Sequence, residues 1–241
     1  SSMGATHQSQ SGPRTVFELV GLTVLTFVIA LVAGVVFIGP LIALGYDIES
    51  TPILVGATAA GQLGMFGVGY LYYRYRDLSV PVALPSLREL GYAAVGVVAA
   101  IGAAVVLSVV LTTLRLLPSS VIGETAAMDP TFLLGLAALS IVVVAPVEEF
   151  LFRGVIQGRL RDRFGPAPAI VGASLLFGSL HLANYSGNPV AIVAGALMIA
   201  VVGSIFGTLY EWTGNLAVPI LVHAIYNTIL FGLSYVALSS A

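Results

Sequence analysis

The stretch TFLLGLAALSIVVVAPVEEFLFRG, residues 131–154, is apolar from Thr131 to Val147 and then sets down Glu148, Glu149 and Arg153 within six residues. An ionisable side chain deep in a bilayer costs roughly 2.5–3.5 kcal/mol on translocon-insertion scales. Three so close together therefore require compensation, and whether this stretch lies in a membrane decides the fold. Composition answers that. Hydrophobic residues make up 58% of the chain, charged residues 8%, and the mean hydropathy is +1.04, whereas about 25% of the residues of a soluble domain are charged. An all-α, polytopic transmembrane helix bundle is expected, too short at 241 residues to hold a separate soluble domain.

Apolar runs fall at about 15–45, 52–73, 91–117, 131–152, 168–183, 187–210 and 215–238, giving seven spans. Gly39-Pro40 inside the long first run would raise the count to eight if it broke that run into a span and a re-entrant piece. The expected organisation is a polar tail over 1–14, disordered or a tag remnant, N-terminal transmembrane helices over 15–130, and a transmembrane core over 131–241. Abundant Gly and Ala suit close helix packing in lipid. The absence of cysteine excludes disulfides, thiolate metal sites and a cysteine nucleophile. The net charge of −2 gives no sign of a nucleic-acid partner.

Arg74, Arg76 and Arg88 lie in the second connection and Arg159, Arg161 and Arg163 in the fourth, while the others carry mostly acids or nothing, apart from Arg115. The positive-inside rule makes the second and fourth connections cytoplasmic. A multi-pass cell-membrane protein with a cytoplasmic N-terminus follows.

The polar residues inside the spans form three clusters: Glu148, Glu149 and Arg153; His181, four residues after Phe177; and His223 with Asn227. Glu149 and Arg153 share a helix face and can pair, whereas Glu148 is turned by about 100° and points elsewhere. Glu148 and His181 flank a turn near Phe164, so two antiparallel helices return them to one level, roughly 24 Å from it. His223 is expected roughly 13 Å in from the turn at Gly214. All three groups are then expected within the membrane, nearer the arginine-rich face. Pro146 and Pro219 each precede a cluster and are expected to loosen the helix there and admit water.

A desolvated glutamate beside a histidine can activate water for acyl hydrolysis, and a second histidine with an asparagine amide can stabilise an oxyanion. No G-x-S-x-G is present, and Ser179 falls on a different face from His181. No cofactor is needed for this chemistry, but zinc held by Glu148, His181 and His223 would also suit these residue types. A proton-coupled transporter would use the same groups as a relay, yet neither inverted repeats nor paired broken helices stand out. A membrane scaffold without catalysis would use them only to bridge helices.

The segments EEFLFR (148–153), FGSLH (177–181) and HAIYN (223–227) resemble the EExxxR, FxxxH and HxxxN motifs of the CPBP family of intramembrane proteases, which includes the type II CAAX prenyl endopeptidases and immunity-associated proteins. The resemblance covers residues 131–238. It implies that Glu148 and His181 activate water, that His223 and Asn227 hold the oxyanion, and that Glu149, Arg153 and Phe177 support the site. It also implies an endopeptidase, in a family often labelled metalloendopeptidase, acting on a membrane-embedded or lipidated substrate, prenylated proteins included.

Overall fold

The computed structural model describes residues 10–241. His7 and the first nine residues of the expected tail lie outside the described residues. Seven helices are long and apolar enough to cross a membrane. They are α1 (Gly12–Ala43), α2 (Thr51–Tyr75), α3 (Leu87–Thr113), α5 (Thr131–Phe164), α6 (Pro166–Leu180), α7 (Pro189–Thr213) and α8 (Ala217–Ser239), with a short α4 (Val121–Met128) between the third and fourth spans. Two-residue strands β1 (Ser119–Ser120) and β2 (Tyr185–Ser186) pair antiparallel.

Helix α1 starts earlier than the apolar run. Ser11 caps it by accepting a hydrogen bond from the Arg14 N–H, and Pro13 occupies the first turn, where its missing N–H costs nothing. Gly12–Arg14 therefore belong to the helix and not to a tail. The helix continues through Pro40 to Ala43, so Gly39-Pro40 does not break it into a span and a re-entrant piece, and the described residues hold seven candidate spans.

Lipid solvates the outside of the bundle, and the apolar side chains of α1 accordingly point outward. Phe17, Val24, Val35 and Val36 are exposed, while Leu19, Leu22, Thr23 and Thr26 form the buried face. With little hydrophobic drive between helices in lipid, small residues must permit close backbone approach. A Cβ on Gly61 would stand 3.2 Å from Ala30 O across the α1–α2 contact, and one on Gly178 would stand 2.6 Å from Ala196 O across the α6–α7 contact.

All seven transmembrane helices turn one end toward the arginines. Gly12 abuts Phe164, Glu18 pairs with Arg76 and, at 3.9 Å, with Arg159, and Arg161 pairs with Glu211 at 3.0 Å. Arg115 stands at the other end, with Asp47, Glu49, Glu124 and Asp129. Hydrogen bonds from Thr51 and Thr131 hold the Asp129 carboxyl below its ordinary range and tie the starts of α2 and α5 together.

Helix α5 is α-helical except for two π-helical stretches, Ser140–Val144 and Phe150–Gln157. The first lies just before Pro146, which has no N–H to offer Val142 O. There the Ala145 N–H reaches Ser140 O, five residues back. Pro219 behaves differently from the expectation. It is the third residue of α8, where an N–H has no intrahelical partner to lose, so it neither kinks nor loosens that helix.

Gly178→Ala should lower stability by about 1–3 kcal/mol, the usual cost of overpacking, because its methyl would meet backbone. Gly102→Ala, with nothing within 4 Å of the new Cβ, should not lower it. Thermal unfolding of both variants in one detergent checks the pair.

Candidate active site

Arg153 is fully buried, and everything around it neutralises or covers the guanidinium. Its Nη1 donates to Glu149 Oε2 at 3.0 Å, its Nη2 donates to Gly203 O at 2.6 Å, and the Phe177 and Phe206 rings lie 4.5 and 5.5 Å from its Cζ. Gly203 is required here, since a Cβ would fall 2.7 Å from both Arg153 Nη2 and Phe177 Cδ1. One turn later the arrangement repeats, Gln157 Nε2 donating to Gly207 O and Glu211 Oε2, both at 2.9 Å. The two helices thus meet as a ladder, Arg153 and Gln157 on α5 against Gly203 and Gly207 on α7.

Glu149 Oε2 has a second partner, His223 Nδ1 at 2.8 Å. A carboxylate only accepts, so Nδ1 carries the proton and Nε2 is left facing Glu148 Oε2 at 3.7 Å. The Glu149–Arg153 pair anticipated from the four-residue spacing is therefore present, extended to a third helix. Glu148 is turned away from it, as the 100° rotation predicts. Its Oε1 accepts from Gln62 Nε2 at 3.1 Å, and its side chain lines a cavity of about 360 Å³.

His181, His223, Asn227 and Phe177 line the same cavity, which brings together every cavity-facing residue read from the sequence. His181 is not inside a helix: α6 ends at Leu180 and His181 caps it. Its Nδ1 lies 2.8 Å from Phe177 O, which fixes the proton on Nδ1 and leaves Nε2 as an acceptor. Asn227 Nδ2 donates one hydrogen to Ser140 Oγ at 3.3 Å and keeps the other. Phe177 is the hub, its ring centroid 4.7 Å from that of His181 and 5.9 Å from that of His223. Among the described residues no three His, Cys, Asp or Glu side chains are close enough together to hold a metal ion.

Glu148 stands 16 residues from Phe164 and 17 from Thr131, about 24 and 26 Å, hence midway along α5. From there the cavity runs away from the arginines, past Ser140 and Leu136 to Phe132, Ser120, Asn184 and Tyr185. The reason is that the regular turns of α6 stop beside His181, and the chain around β1 and β2 folds into the space that further turns would occupy.

Gln62 and Ser140 also escaped the sequence reading. Gln62 left a signal, being the one amide in the run 52–73, and such a group inside a span asks for a partner. The spacing GSIFG over 203–207 was the corresponding signal for the ladder.

Removing one member of a fully buried ion pair costs about 3–5 kcal/mol, whereas replacing both by apolar residues is often near neutral. Arg153→Met should therefore unfold the bundle at markedly lower temperature, and Glu149→Leu/Arg153→Met should recover more than half of the loss in the same melting experiment.

Residues 129–229 match the family model described as Type II CAAX prenyl endopeptidase Rce1-like. Over 88 residues the chain is 33% identical to Uncharacterized protein YpbD of Bacillus subtilis (strain 168), a stretch covering 36% of this chain and 40% of that protein. The chain thus matches about two fifths of the length of that relative. No solved structure matches it. The matched segment opens two residues before α5 and closes inside α8. It contains all seven site residues named from the sequence, so the part of the chain that carries them is the part similar to the Rce1-like type II CAAX prenyl endopeptidases.

Proposed function

We propose that the protein is an intramembrane endopeptidase in which Glu148 activates water for attack on a peptide carbonyl. The observation that carries this reading is the split between two adjacent carboxylates: Glu149 is committed to Arg153 and His223, while Glu148 faces a cavity. A general base must be within reach of water and must not be tied to a cation. Glu148 meets both conditions.

In this mechanism Glu148 takes a proton from water while His181 Nε2 accepts a hydrogen bond from the same molecule. The hydroxide oxygen bonds to the carbonyl carbon, and the carbonyl oxygen becomes an oxyanion. The spare Asn227 N–H is one donor to it. His223 is the other only if both of its nitrogens are protonated, since Glu149 holds the Nδ1 proton. Glu148 finally passes its proton to the departing amine as the C–N bond breaks. The apolar walls suit a lipidated or otherwise membrane-anchored substrate, with prenylated CAAX peptides the class that the family suggests.

The test is hydrolysis of a fluorogenic farnesylated CAAX peptide by the purified protein in lipid. Glu148→Ala and His181→Ala should each lower turnover by about 10²–10⁴-fold, and Asn227→Ala by about 10²–10³-fold. Activity should survive a zinc chelator; loss restored by zinc would replace the glutamate mechanism with a metal one. Ion-coupled uptake, or a biological role undiminished in Glu148→Ala at normal expression, would point to a transporter or a scaffold. Gln62→Leu removes a hydrogen bond to a charged group, about 1.5–3 kcal/mol, and should slow turnover about tenfold or more.

A further inference from the structure

We infer that substrate enters from the arginine-poor end of the bundle and that this end faces away from the cytoplasm. The peptide cut at Glu148 would then be presented at the outer leaflet. That the occupant is a peptide rests on the endopeptidase reading; the sidedness does not.

The cavity is closed toward the arginines and open away from them. Behind Glu148 and His223 stand the Phe177–Arg153–Phe206 stack and the Gln157–Gly207 contact, with no exposed side chain among them. In front, the lining passes to Ser120, Asn184 and Tyr185, which lie on the two segments that leave the helices at the arginine-poor end.

Helix length gives the same direction. The fifth span runs Pro166–Asn184, but its α-helical part, α6, has 15 residues and is about 23 Å long, short of the about 30 Å of a hydrocarbon core. Beyond His181 the chain continues as a 3-10 turn and β2 before α7 begins at Pro189. Backbone of this kind is tolerated at membrane depth only where protein covers it or water reaches it, and here it borders the cavity. The cavity beyond Glu148 is therefore the route by which water and substrate would reach that carboxylate.

Charge supplies the sidedness. The closed end carries Arg14, Arg74, Arg76, Arg88 and the three arginines of 159–163, whereas the open end carries Arg115 alone. The positive-inside bias turns the closed end to the cytoplasm. A prenylated chain whose terminal peptide remains in the cytoplasm could not deliver it to this cavity. The fitting substrate is an anchored peptide, lipidated or transmembrane, whose scissile segment emerges on the outer side.

The chain lacks cysteine, so single cysteines report sidedness directly. Intact cells expressing Ser120→Cys, Glu124→Cys or Arg163→Cys are treated with a membrane-impermeant maleimide, then permeabilised and treated again. Ser120→Cys at the mouth and the exposed Glu124→Cys should label in intact cells, and the exposed Arg163→Cys only after permeabilisation. The opposite pattern, or equal labelling of both ends, would overturn the assignment. Vesicles whose orientation is known from the same labels then receive the farnesylated peptide on one side. Cleavage only from the Glu124 side supports the outer-leaflet substrate, and cleavage only from the Arg163 side refutes it. With the expected labelling but no cleavage from either side, the peptide occupant is rejected and the sidedness stands.

Discussion

A guanidinium with no exposed surface in the middle of a lipid-facing bundle dictates much of what surrounds it. Arg153 needs a counter-charge, and Glu149 supplies it one turn away on the same helix. It needs a further acceptor, and Gly203 O supplies it only because α7 presents a glycine there. It needs its faces covered, and Phe177 and Phe206 come from two more positions in the bundle. Glu149 lies on α5 itself, Gly203 and Phe206 on α7 and Phe177 on α6, so satisfying one charge fixes the relative placement of α5, α6 and α7. His223 bonding to Glu149 adds α8.

This arrangement also makes two neighbouring glutamates unequal. Glu149 has its charge compensated and its surface removed, and it is held as a structural anion. Glu148, one residue earlier, inherits the opposite face of the helix and none of that compensation. Its partners are a neutral amide from α2 and a histidine nitrogen at 3.7 Å. In low dielectric a carboxylate so placed interacts strongly with whatever proton donor approaches, which is the property a general base requires. With the guanidinium donating to Glu149 and Gly203 O, Glu148 is left without a salt bridge to it.

Much of this was legible before the structure. Seven spans follow from hydropathy, and the pairing of Glu149 with Arg153 follows from helical spacing, because both are local properties of the chain. The common level of Glu148 and His181 followed from one turn at Phe164, and both do line one cavity. What failed were inferences requiring knowledge of where a helix begins or ends. Pro219 reads as a helix interior residue until Asn215 and Leu216 are seen to precede the first turn of α8. His181 falls two residues before the end of the apolar run 168–183, and the regular turns of α6 stop beside it. The cavity direction depends on that stop, which hydropathy does not mark. Gln62 was hidden for another reason: its partner is 86 residues away, and nothing local connects the two.

The early end of α6 has a mechanistic consequence of its own. Hydrolysis consumes water, and a bundle packed to uniform density across the bilayer would exclude it from Glu148. Here the regular turns of α6 stop beside His181, and the polar ends of that helix, with the β1–β2 pair, occupy the volume beyond. Unsatisfied carbonyls at a helix C-terminus demand donors, and water is the donor that a cavity open on one side can supply. The break in secondary structure beside His181 also borders the cavity that Glu148 lines. On the endopeptidase reading proposed above, a longer α6 would close that cavity to the water that hydrolysis consumes.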